Sequence, residues 1–117
     1  MVLTYTLKSM TDKVVVLTTC ATHADAMCIA RQLVEMRLAA CVNIVPNITS
    51  IYRWQGAVEE SSEWLLVIKT SDSLMGKLKE ELPKMHPYEV PEIVALAIVD
   101  GADGYLNWLT GQLPSSP

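Results

Sequence analysis

The chain is poor in positive charge. Lys and Arg total 9 against 13 Asp and Glu, giving a net charge of -4 and a pI near 5.0. Without clustered Lys and Arg there is no electrostatic reason to approach nucleic acid or an anionic membrane, so neither partner is expected. Glycine is scarce as well: five residues, none grouped into a phosphate-cradling loop, which argues against a nucleotide ligand. No apolar run approaches the ~20 residues that a membrane-spanning helix needs. Cysteine is limited to Cys20, Cys28 and Cys41, an odd number without framework spacing, which suits a reduced, cytoplasmic protein. VVVLTTCA, residues 14 to 21, has the outline of a lipoprotein cleavage site, but its apolar run is short and Thr19 stands where a small residue is wanted.

Catalytic signatures are absent too. There is no G-x-S-x-G, H-E-x-x-H, P-loop or dinucleotide fingerprint, so neither an enzyme nor an organic cofactor is expected. The one catalytic arrangement the residues allow is Cys20 with His23, oriented by Glu92 or Asp25. The acidic pair Glu59 and Glu60 reads as a solvated strand edge.

What is present fits one domain of ordinary size: 117 residues, half of them hydrophobic and 19% charged. Residues 1–12 show no period and read as a loose tail, 13–113 as a single folded domain, and 114–117 as a C-terminal tail. VVVLTT, residues 14 to 19, is a β-branched run expected of a strand buried on both faces. Thr22 and Asp25 form a capping box ahead of Ala26, Ile29, Ala30, Leu33 and Met36 at helical spacing, a helix running to about Leu38. Residues 40 to 54 then predict a long strand, QGA a turn, and VEESSEWLLVIKTS the returning strand of a hairpin. Leu74, Leu78 and Leu82 step by four along a second helix, with Ser71 or Asp72 as N-cap and Pro83 ending or kinking it. EIVALAIV, residues 92 to 99, predicts a fourth strand, and ADGYLNWLTG a short last helix stopped by Gly111.

The order β-α-β-β-α-β plus a C-terminal helix is an α+β, ferredoxin-like split βαβ arrangement with one antiparallel sheet. Two features imply self-association. Residues 41 to 54, if extended, span roughly 46 Å, against a radius of gyration of about 13 Å for a compact chain of this size. The hairpin must therefore overhang its body, and Pro46 should bend or bulge its first strand. The fourth strand, in the usual order an edge, carries no charge or proline to protect IVALAIV from pairing. Both point to a closed homo-oligomer.

Candidate ligands are few. His86 sits in the crossover MHPYEVPEI, where imidazole would suit copper, zinc or nickel, although Pro87 and Pro91 equally make this stretch a stiff lead into a strand. Cys20 and His23 straddle the turn from the first strand into the first helix, where exposed backbone N–H groups would lower a thiol's pKa. Cys28 and Cys41 read as small buried hydrophobes. Tyr52, Trp54, Trp64, Tyr88 and Trp108 read as the lining of a subunit interface or the floor of a pocket.

RLAACVNIVPNITSIYRWQG, the strand E..LLVIKTS after it, HPYEVPEIV and the closing GYLNWL together closely resemble the CutA family of divalent-cation tolerance proteins. The resemblance runs from about Val14 to Leu109. It implies a ferredoxin-like subunit in a homotrimer, cytoplasmic in bacteria and linked to tolerance of copper and other divalent cations. It also associates metal binding in some members with a cysteine where this chain has Thr18 and a histidine where it has Met85, leaving His86 as the direct carry-over. The readings are thus a homotrimeric metal-tolerance protein with weak metal sites at His86, Cys20 and His23, or a trimeric signalling or scaffolding module, architecturally similar to the PII regulators, that takes a small ligand or protein partner at its subunit clefts.

Overall fold

The computed structural model describes residues 11–115; of the tails expected at 1–12 and 114–117, residues 1–10 and 116–117 lie outside the described residues. The elements are β1 (Lys13–Cys20), α1 (His23–Glu35), β2 (Cys41–Trp54), β3 (Ala57–Ser71), a 3-10 turn (Asp72–Leu74), α2 (Met75–Met85), β4 (Val94–Ala97) and α3 (Asp103–Gln112). The sheet order is β2-β3-β1-β4 with every neighbour antiparallel. This is the split βαβ arrangement, with β4 at an edge.

The β1 residues Val14, Val16, Thr18 and Cys20 alternate onto the face that α1 and α2 cover. There Ile29 and Leu33 of α1, Leu78 and Leu82 of α2, and Leu66 and Ile68 of β3 form the fully buried core. Each of these side chains contributes roughly 1.5–3 kcal/mol by leaving water. A smaller cluster of Ala40, Leu109 and Leu113 docks α3 at the far end of the sheet.

The opposite sheet face is bare. Val15 and Leu17 are half-buried, and Val45, Val94 and Leu96 are 39%, 46% and 55% exposed. The expectation that β1 is buried on both faces is therefore corrected for the single protomer, because only one face carries helices.

Element ends differ from expectation for identifiable reasons. The Thr22 hydroxyl accepts from the Asp25 N–H at 3.1 Å, which caps α1 as the sequence predicts. The helix stops at Glu35, short of Leu38, because Arg37 takes a left-handed φ of 59°. Leu38 N–H then bonds Leu33 O and Arg37 N–H bonds Val34 O, a Schellman closure built without glycine. Pro83 does not end α2. The helix runs through it to Met85, and His86 is extended, as the residue before Pro87 must be. Ser71 begins the 3-10 turn and Leu74 precedes α2, neither with a side-chain cap. Gly111 likewise does not stop α3, which reaches Gln112 before Leu113 turns extended ahead of Pro114.

β4 is shorter than predicted. Its regular pairing spans Val94–Ala97, although Ile98 N–H still donates to Lys13 O and Thr11 N–H to Ile98 O.

The hairpin reaches Trp54 and returns at Ala57 through Gln55 and Gly56, with φ of 49° and 84°. Two consecutive positive φ values give the primed turn whose twist matches the strands. Between Val45 and Ile48 the register slips, so three steps on β2 oppose two on β3. Pro46 has no N–H to pair and Asn47 takes φ 59°, so the extra residue sits where the sequence places the bend. The bulge also flips side-chain parity. Cys41, Asn43 and Val45 face the bare side before it, and Ile48, Ser50, Tyr52 and Trp54 do so after it. The radius of gyration of 15.5 Å reflects this overhanging ribbon.

Candidate functional site

β1, the start of β3's buried half and the α2–β4 crossover meet around His86. The imidazole is buried: Nε2–H donates to Thr19 O at 2.8 Å, while Nδ1 accepts from the Tyr88 N–H at 3.1 Å. Two backbone partners thus fix the tautomer and bind the crossover to the end of β1. Cys20 Sγ lies 3.8 Å from the same Nε2 and is fully buried.

Burial, with Asp25 and Glu63 nearby, pushes the Cys20 thiol up to about 11. The lowered pKa anticipated at the strand-to-helix turn is thus reversed, since desolvation and acidic neighbours outweigh the helix end. A thiol so protonated is a poor nucleophile, which removes the support for a Cys20 catalytic pair.

His23 lies elsewhere. It is exposed on the first turn of α1 and stacks on Trp64 with ring centroids 4.5 Å apart. Among the described residues no hydrogen bond joins it to Cys20, and no three His, Cys, Asp or Glu side chains converge as a metal cluster. Thr18 is fully buried on the core face, and its Oγ1 has no partner among the described residues. Met85 packs against the core. Cys28, expected inside, is exposed, with its sulfur accepting from Gln32 Nε2 at 3.2 Å, because it lies on the outer side of α1. Cys41 is half-buried on the bare sheet face.

Beside His86 opens a cavity of about 570 Å³, walled by the far half of β2, Glu63 of β3 and the crossover. Tyr52, Trp54 and Tyr88 supply its aromatic surface, and Glu63, Glu89 and Glu92 its charge. Tyr88 Oη donates to Glu63 Oε2 at 2.5 Å, and burial together with this carboxylate raises the phenol's pKa well above its ordinary value. Tyr88 also tilts against His86, ring centroids 4.8 Å apart. Cavity and imidazole are therefore one connected unit.

The profile of the family described as CutA1 divalent ion tolerance protein matches residues 14–112. The chain belongs to the CutA1 family. It is 58% identical over 95 residues to the divalent-cation tolerance protein CutA of Thermus thermophilus, covering 81% of this chain and 92% of that one. Protein CutA of Mus musculus is 52% identical over 91 residues, 78% of this chain and 51% of the mouse protein, so this chain spans about half of its length. Among solved structures, the Cut A1 divalent cation tolerance protein of Thermus thermophilus superposes with a TM-score of 0.84 at 54% identity, covering 87% of this chain and 99% of that one. CutA1 from Oryza sativa gives 0.87 at 40% identity, covering 92% and 99%.

Within this CutA1 protomer, sequence reasoning named His86 and Cys20, which the structure places side by side, but missed Glu63. An acidic residue three positions after Glu60 reads as more of the same solvated edge. Its partner, Tyr88, is 25 residues away in sequence. The only local signal was parity, which places Glu63 on one face with Leu65 and Val67. Of the five aromatics singled out, Tyr52, Trp54 and Tyr88 line the cavity, Trp64 holds His23, and Trp108 stacks on Tyr105 at the surface.

Proposed function

We propose that this CutA1 chain works as a cytoplasmic, homotrimeric divalent-cation tolerance protein whose metal response runs through a weak copper site at Cys20 and His86. The observation that carries this reading is the 3.8 Å approach of Cys20 Sγ to His86 Nε2 across 66 residues of sequence. A thiol sulfur and an imidazole nitrogen are soft-to-intermediate donors that suit copper, and two of them fit a low-coordinate Cu(I) ion. Structural zinc asks for four ligands, more than this pair provides, so zinc or other divalent ions need donors such as His23 or a neighbouring copy. Uptake is weak because the thiol, held at about 11, must lose its proton, and the imidazole must switch tautomer, moving its proton from Nε2, where Thr19 O accepts it, to Nδ1, where the Tyr88 N–H now donates. The bare face and the overhanging hairpin support self-association, and three copies follow from the family resemblance.

Native mass spectrometry with and without Cu(I), Cu(II) and Zn(II) tests both parts. The expected result is a trimer that retains copper, with His86→Ala and Cys20→Ser each abolishing retention. No specific uptake at micromolar metal removes the copper site, and a stable monomer removes the assembly.

A second reading, a trimeric PII-like module that binds a small ligand or protein partner at its subunit clefts, is favoured by the 570 Å³ cavity, whose size is that of an ordinary small-molecule site.

A further inference from the structure

We propose that the cavity between β2 and the α2–β4 crossover binds an organic cation, an alkylammonium head group, held between its aromatic walls and the Glu63 carboxylate. This rests on the reading of the cavity as a ligand site and adds the class of ligand.

Three observations converge. The first is Glu63 itself, only 7% exposed on a sheet face whose next residues inward are Leu65 and Val67. Tyr88 Oη secures one of its oxygens, Oε2. No hydrogen bond or ion pair engages Oε1 among the described residues, and Glu63 lines the cavity. The free oxygen faces the cavity, and among the described residues of the protomer no cationic side chain pairs with it, so a cation entering the cavity meets an unengaged carboxylate oxygen.

The second is the surroundings. Tyr52, Trp54 and Tyr88 present aromatic surface, and among the described residues no Lys, Arg or His lines the cavity. Aromatic faces attract a desolvated cation through the ring quadrupole, best at Trp. Glu89 and Glu92 at the exposed rim add negative potential that draws cations in and repels anions.

The third is geometric. A hard metal ion needs several oxygens converging at about 2.0–2.6 Å, and among the described residues no such cluster forms. Carboxylates spread around a wide aromatic cavity suit a large, diffuse charge with methyl groups to bury. Tyr88 Oη donates to Glu63 Oε2 and so orients the carboxylate.

The test is a two-dimensional NMR titration of the full chain in its native assembly with tetramethylammonium chloride, tert-butanol and sodium acetate, read at the Trp54 indole and the Glu63 amide. Tetramethylammonium is expected to saturate both signals, about tenfold more tightly than tert-butanol, with affinity falling as NaCl rises. Glu63→Gln should weaken it about tenfold or more. Because Glu63→Gln also removes a buried contact, the exposed rim variant Glu92→Gln provides a second reading and should weaken binding about twofold to fivefold. Unchanged affinity in a folded Glu63→Gln overturns the proposal, as does an unchanged salt dependence and affinity in Glu92→Gln. Saturation by acetate or tert-butanol at equal affinity overturns the cation while leaving the cavity a ligand site. No response to any probe overturns both, as expected if a neighbouring copy already fills the space.

Discussion

Thr18 and Cys20 stand two apart on the buried face of β1, and neither fits its surroundings well. The Thr18 hydroxyl has no partner among the described residues, which costs about 1–3 kcal/mol for a buried polar group. Thr18→Val keeps the shape and removes the hydroxyl, so denaturant unfolding should show a gain of ~1 kcal/mol; a loss would mean that the oxygen is satisfied in the assembled protein. Cys20 predicts a pH effect. Exposed in the unfolded chain, the thiol titrates near its ordinary value of about 8.5, whereas in the fold it titrates at about 11. Its raised pKa therefore contributes stability that is complete below about pH 8.5 and is lost as pH climbs through 11. Thermal melts across this window should fall more steeply for the parent chain than for Cys20→Ala, and parallel slopes would contradict the assignment.

Local elements were read correctly wherever one rule acted alone. The Thr22 cap, the Leu78–Leu82 stripe and the bulge at Pro46 each follow from residues within one or two turns. Boundaries failed where a non-glycine residue took a glycine-like conformation, as Arg37 does, or where a proline expected to stop a helix was carried inside it, as Pro83 is. Local sequence does not announce such positions, because the packing of Leu33, Leu38 and Leu82 is what holds them. The hairpin turn offers a direct check. Gln55 occupies a positive-φ position for which Asn is far better suited. Gln55→Asn should stabilise the protein by roughly 0.5–1 kcal/mol in chemical denaturation, and a decrease would show that Gln55 has a contact of its own.

At the scale of the whole molecule, the single copy leaves one sheet face without a helical layer. An antiparallel sheet with one helical layer can leave its second face to water, but that face is then polar, and here Val15, Leu17, Leu65, Val67, Val94 and Leu96 occupy it. Leu96→Lys puts a charge on this bare face, which the proposed assembly would cover. Sedimentation velocity should show dissociation toward protomers with secondary structure retained; unchanged association would place the interface elsewhere. The sequence by itself determined the element order, the split βαβ class and the core stripes, because periodicity and turn chemistry are local and repeat along the chain; the family came from the resemblance of its motifs. Only the tertiary structure decided that Cys20 faces His86 rather than His23, that His86 is tied by two backbone groups, and that Glu63 meets Tyr88 at the mouth of an aromatic cavity. The faces that Cys20 and Glu63 take depend on strand register, and the aromatic wall of Tyr52 and Trp54 depends on the one-residue bulge in β2; a shift of one position would turn these side chains to the opposite face.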